Sequence, residues 1–184
     1  MTCVVGVAQG GRVLLAGDSA ATDDEDFSQV IITNPAKVTK IRGRVFGFSG
    51  LWKVCRILRN LQLSEGRDDP EDDVSEIVEQ IEQAWKGLGG GDFETDLLIG
   101  VRNRLFVLQD DWSWIEPAPV QRKNKRKHDS LSFYAIGSGG SVAFGALAAA
   151  AGSELTMLQR AEEALTISST YCANVRPPFV HVVT

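Results

Sequence analysis

The chain has 184 residues, 43% of them hydrophobic and 23% charged, with a net charge of −5. That length and apolar content suit one domain over residues 1–184 with a sizeable core. The acidic balance excludes a surface wholly given to nucleic acid and, equally, a disordered polyanion. No apolar run approaches the ~20 residues of a membrane span, and no basic region followed by an apolar one opens the chain, so a cytoplasmic protein with no membrane partner is expected.

Residues 2–8 are small or β-branched, Gly10-Gly11 makes a turn, and residues 12–16 are apolar again, which predicts an N-terminal β-hairpin. Val4, Val5, Val7, Val13, Leu14 and Leu15 run almost without interruption, so both faces of this hairpin are expected to be covered. The acidic stretch 23–26 suits a solvated loop. Short extended segments follow at 30–33 and 37–41, and residues 45–48 form the second arm of another hairpin.

Leu51, Val54, Cys55, Leu58 and Leu61 recur at helical spacing, with Ser49-Gly50 placed to cap the run. Asp69-Pro70-Glu71-Asp72-Asp73 opens a second helix that turns Val74, Ile77, Val78, Ile81 and Trp85 inward and stops at residues 87–91. A meander is expected at 96–101, 104–109 and 112–116, with Trp112 and Trp114 on one strand face. The basic loop 122–128 reads better as a solvated connection than as a nucleic-acid patch, since no aromatic residues interleave its cations. A strand at 131–136, the turn Gly137-Ser138-Gly139-Gly140, a small-residue helix at 142–151, a helix capped by Ser153 and a closing strand at 179–183 complete the order. Runs of strands and helices segregated in this way favour α+β with layered sheets over a doubly wound parallel sheet. Cys3, Cys55 and Cys172 lack metal-ligand spacing and read as buried free thiols. No metal or organic cofactor is implied.

Met1-Thr2 is the first chemical feature, because methionine is readily removed before a small residue, leaving a threonine hydroxyl beside a free α-amine. An amine with pKa near ~8 can take the proton of a hydroxyl that does not itself ionise at neutral pH. If Met1 is retained, the amine belongs to the wrong residue and Thr2 is inert. Asp18, at the end of the second strand, can orient a cation, and Lys37 is the natural one. On the residues alone the plainer readings are favoured, Thr2 as a strand start, Asp18 as a turn former and Lys37 as a solvated side chain.

Five blocks carry a resemblance: Met1-Thr2-Cys3-Val4-Val5-Gly6-Val7, Ala16-Gly17-Asp18-Ser19-Ala20, the stretch around Pro35-Ala36-Lys37-Val38, Gly47-Phe48-Ser49-Gly50, and Ala135-Ile136-Gly137-Ser138-Gly139-Gly140. Together and in this order the chain resembles proteasome β subunits and bacterial HslV, and residues 164–180 resemble the same region of phage-encoded and bacterial proteasome-like proteins. The resemblance implies the four-layer αββα sandwich of N-terminal-nucleophile hydrolases and a threonine-type peptidase. It matches Thr2 to the nucleophile, Asp18 and Lys37 to the acid and lysine that tune it, Gly50 to the oxyanion-hole amide and Ser138 to the serine near the amine. Thr170 stands where that family usually has an aspartate, so activity is expected to be reduced or to need a partner. The resemblance further implies a homo-oligomeric ring, a polypeptide substrate and an ATPase unfoldase as partner; a non-catalytic ring-forming protein is the rival reading. Lys37→Ala is expected to abolish turnover while changing folding little.

Overall fold

The computed structural model describes residues 2–22, 29–32, 34, 36–65, 68–120 and 130–184. The acidic stretch 23–26 and the basic loop 122–128 lie outside the described residues. Strands β1 (Val4–Gln9) and β2 (Arg12–Gly17) form the expected hairpin, and β10 (Leu131–Ile136) and β11 (Val180–Val183) flank it to give an antiparallel sheet in the order β10-β1-β2-β11. The second sheet is β5 (Val38–Ile41), β6 (Arg44–Gly50), β7 (Thr95–Val101), β8 (Arg104–Leu108) and β9 (Trp114–Ile115), antiparallel and in chain order. A small hairpin of β3 (Ala20–Thr22) and β4 (Gln29–Ile31) stands apart.

Three separate cores define four layers. Val4, Ala8, Val13 and Leu15 meet Val45, Leu98, Leu105 and Val107 between the sheets. The alternate residues Val5, Val7, Leu14 and Ala16 pack outward on helices α3 (Gly140–Ala150) and α4 (Met157–Tyr171). On the far side Phe46, Phe48, Leu97 and Ile99 meet Val54, Leu58, Ile77, Ile81 and Trp85 of helices α1 (Lys53–Arg59) and α2 (Pro70–Gly87). The near-continuous apolar run of the first hairpin is therefore explained, since successive side chains enter different cores. The αββα sandwich agrees with the expectation from the sequence.

Several local expectations fail for physical reasons. Helix α1 begins at Lys53, with Trp52 as its N-cap and no side-chain cap, because Ser49 and Gly50 continue strand β6 in register with Asp96 and Thr95. Helix α4 is capped by Thr156 in a reciprocal capping box with Gln159, while the Ser153 hydroxyl donates to Ala150 O at 2.7 Å. Trp112 is outside the strand at φ 67°, yet its ring reaches Phe93 at 4.2 Å, and Trp114 reaches Phe106 at 5.3 Å, both at the edge of the same core. No helix among the described residues is long and apolar enough to cross a membrane.

Candidate active site

Thr2 precedes β1 and is 6% exposed. Its backbone N–H donates to Ser138 Oγ at 3.2 Å, and its carbonyl accepts from Gly139 N at 3.2 Å and from Ser138 Oγ at 3.3 Å. The pairing of β1 with β10, Val4 opposite Ile136, carries the glycine turn that follows β10 back to the start of the chain. Gly137 takes φ 88°, and a Cβ there would stand 2.3 Å from Thr2 O and 2.7 Å from Ser49 Oγ. Only glycine meets both demands, left-handed backbone and close approach.

Asp18 follows β2, whose last residue Gly17 faces Val4, so its carboxylate reaches the same end of the sheet. Its Oδ1 accepts from Cys3 N at 2.8 Å and from Lys37 Nζ at 2.8 Å; its Oδ2 accepts from Ala20 N at 3.0 Å and Arg176 N at 3.4 Å. Lys37 precedes β5 and also donates to Ala20 O. The side chains of Lys37 and Asp18 are 3% and 0% exposed, so the pair is buried. Burial pulls the Lys37 ammonium below its ordinary value, opposed by the charge and hydrogen bond of Asp18. Four donors saturate the carboxylate, which is what a buried charge requires.

Gly50 ends β6 at φ 124°, where a Cβ would meet Glu94 O at 2.5 Å. With Ser49, Thr95, Asp96, Gly137 and Ser138 it lines an open cavity of about 490 Å³. Asp96 sits at its wall; partial loss of solvent raises its carboxyl above the ordinary range, a backbone bond from Gly137 opposes this and Asp110 adds to it. Helix α1 starts three residues beyond Gly50, so this glycine belongs to the strand end and not to the helix N-terminus.

Thr170 is exposed, and its hydroxyl donates to Thr166 O at 3.0 Å, one turn back on α4. The α4 group that reaches the glycine turn is Ser168, fully buried, whose hydroxyl donates to Gly139 O at 3.0 Å. Sequence reading missed Ser168, although it continues the buried series Ala161, Ala164 and Leu165 at helical spacing. Ser168 also contacts the Cys3 thiol, which burial pushes up to about 12. Two sets of hydrogen bonds thus meet at the first residues of β1, Thr2 with Ser138 and Cys3 N with Asp18, which also holds Lys37, and Gly50 shares a cavity with Ser138.

Two face-to-face antiparallel sheets with helices outside each make the αββα fold of the N-terminal-nucleophile hydrolases, in its proteasome-like form, and Thr2 lies buried in it between the strand-end Asp18–Lys37 pair and the glycine turn. Solved structures agree: BPH of Thiobacillus denitrificans superposes with a TM-score of 0.79 at 18% identity, over 99% of this chain and 97% of that one, and the same protein has been solved with epoxomicin. HslV of Trypanosoma brucei gives 0.71 at 20% identity over 98% of both chains. The helical assembly of the Anbu complex of Pseudomonas aeruginosa gives 0.69 at 15% identity, over 100% of this chain and 81% of that one. At these identities the likeness is one of fold. No family model and no curated protein sequence matches the chain.

Proposed function

We propose that the chain is a threonine-type N-terminal-nucleophile peptidase that acts after removal of Met1. One observation carries the reading: the nitrogen that would become the α-amine, Thr2 N, is held 3.2 Å from Ser138 Oγ, while the next amide, Cys3 N, is fixed on the carboxylate that also holds Lys37. In this reading the amine takes the Thr2 hydroxyl proton, the hydroxyl oxygen bonds to a peptide carbonyl carbon, and the amide nitrogen leaves with that proton. Water then cleaves the acyl ester and restores the hydroxyl. Lys37, a compact charge made less basic by its burial, stabilises the developing alkoxide, and the Gly50 amide faces the carbonyl oxygen of the tetrahedral intermediate.

The capture of a fold relative, BPH, with epoxomicin supports a peptide-like substrate. Self-association belongs to the proposal too. Helix α3 is apolar apart from Ser141, and Phe144, Gly145, Ala148 and Ala149 lie exposed on its outer side in the isolated chain. The rival, a non-catalytic ring-forming protein, draws on Thr170, which supplies no carboxylate. N-terminal sequencing with peptide hydrolysis by wild type and Thr2→Ala separates the two. A chain starting at Thr2 whose turnover falls about a thousandfold or more in the variant supports the peptidase; equal rates support the rival.

A further inference from the structure

Helix α4 reaches the glycine turn through the Ser168 hydroxyl, while Thr170, where a carboxylate was expected, bonds within its own helix. A carboxylate arrives instead from the opposite sheet. Asp96, the second residue of β7, lines the cavity shared by Gly50, Gly137 and Ser138 and accepts a bond from the Gly137 backbone N–H. We propose that Asp96 is the positioning residue of this site, seating the glycine turn that carries Ser138 and favouring, by its charge, the protonated form of the Thr2 amine. The inference rests on the peptidase reading and adds a residue which that reading does not use.

Strand alternation is the first argument. Val45 of β6 and Leu98 of β7 enter the core between the sheets, so Ser49 and Asp96, at even spacing from them, face the first sheet too. They are direct partners in the β6–β7 register. A Cβ on Gly137 would stand 2.7 Å from Ser49 Oγ and 2.3 Å from Thr2 O, so the turn rests on this strand pair at one side and on the chain start at the other. Thr2 N lies 3.2 Å from Oγ of Ser138, the next residue of that turn. Contacts therefore run from Asp96 through Gly137 and Ser138 to the nitrogen that would become the amine.

Charge is the second. On the β2 and β5 side of Thr2, Asp18 and Lys37 balance one another across 2.8 Å, and burial pushes the Cys3 thiol up to about 12, which keeps it neutral. Among the described residues the cavity is lined by three carboxylates, Glu94, Asp96 and Asp110, and by no cation; β6 and the glycine turn add no titratable side chain. Of the three, Asp96 is the one joined to the turn. A nearby negative charge that no cation balances favours the ammonium form of an amine. The amine must hold its proton for as long as the tetrahedral intermediate stands, between taking it from the hydroxyl and giving it to the leaving nitrogen.

Competitive acetylation of the whole protein with acetic anhydride across a pH series, followed by peptide mapping, measures the pKa of the Thr2 amine without needing turnover. Asp96→Asn keeps an acceptor for Gly137 N and removes the charge, and its amine is expected to titrate about half a unit or more below that of wild type. The acid limb of peptide hydrolysis is expected to move down in pH with it, which a merely structural Asp96 would not cause. Glu94→Gln, a cavity carboxylate not joined to the turn, is expected to give a smaller shift. An unchanged amine in Asp96→Asn, or an equal shift in Glu94→Gln, overturns the inference even in an active enzyme. The expected amine shift in a protein that hydrolyses no peptide refutes the peptidase reading alone, and retention of Met1 overturns both.

Discussion

Lys37 Nζ lies 2.8 Å from Asp18 Oδ1, and both side chains are out of reach of solvent. Burial changes what the sequence led us to expect of Lys37→Ala, since removing the ammonium strands a buried carboxylate. Lys37→Ala is expected to lose turnover and also roughly 3 kcal/mol or more of stability. Lys37→Met/Asp18→Asn, which removes both charges, is expected to recover most of that stability with no recovery of turnover. Denaturant unfolding beside peptide hydrolysis checks the pair; a stable, active Lys37→Ala would contradict the proposed mechanism.

Ser168 and Thr170 stand two residues apart on α4 and differ completely in surroundings. Ser168→Ala leaves Gly139 O without its buried donor and is expected to cost about 1–3 kcal/mol, with reduced turnover as the glycine turn loosens. Thr170→Ala, at an exposed hydroxyl bonded within its own helix, is expected to stay within about 0.5 kcal/mol of wild type. Thermal or urea unfolding of the two variants gives the comparison.

Gly137 and Gly10 both have left-handed φ, 88° and 59°, but no atom lies within 4 Å of a Cβ at Gly10. Each alanine substitution is expected to incur a backbone penalty of about 1–2 kcal/mol. Gly137→Ala must in addition displace Thr2 O, so it is expected to be the more destabilised and to lose hydrolysis, whereas Gly10→Ala keeps its activity. Equal behaviour of the two would argue against a seat for Thr2 built on this turn.

Cys3 has its thiol pushed up to about 12 from an ordinary 9.0, chiefly by burial. A group whose folded value is raised contributes its full stability below the unfolded value and loses it as pH climbs toward the folded one. Wild type is therefore expected to lose about 1 kcal/mol more than Cys3→Ala between pH 8 and pH 10, measured by urea unfolding. Iodoacetamide at pH 8 is expected to modify the partly exposed Cys172 before Cys3.

Much of the fold was legible because its signals are local. The unbroken apolar run of β1 and β2, the acidic Pro70 start of α2 and the glycine turn at residues 137–140 each announce their own structure. The Asp18–Lys37 pair was legible through the resemblance, and the structure places its members in contact. Alignment pointed to Thr170, whereas helical phase, counted from Ala161, Ala164 and Leu165, points to Ser168. The α1 start was misplaced because Ser49-Gly50 has cap chemistry and yet is claimed by strand pairing with β7, a non-local bond no window can see.

Intact-mass spectrometry before and after exposure to a peptide epoxyketone tests the central claim most directly. The expected result is a chain lacking Met1 that gains one inhibitor mass, with no gain in Thr2→Ala. A chain that retains Met1, or an adduct that forms equally in Thr2→Ala, would contradict a Thr2 nucleophile.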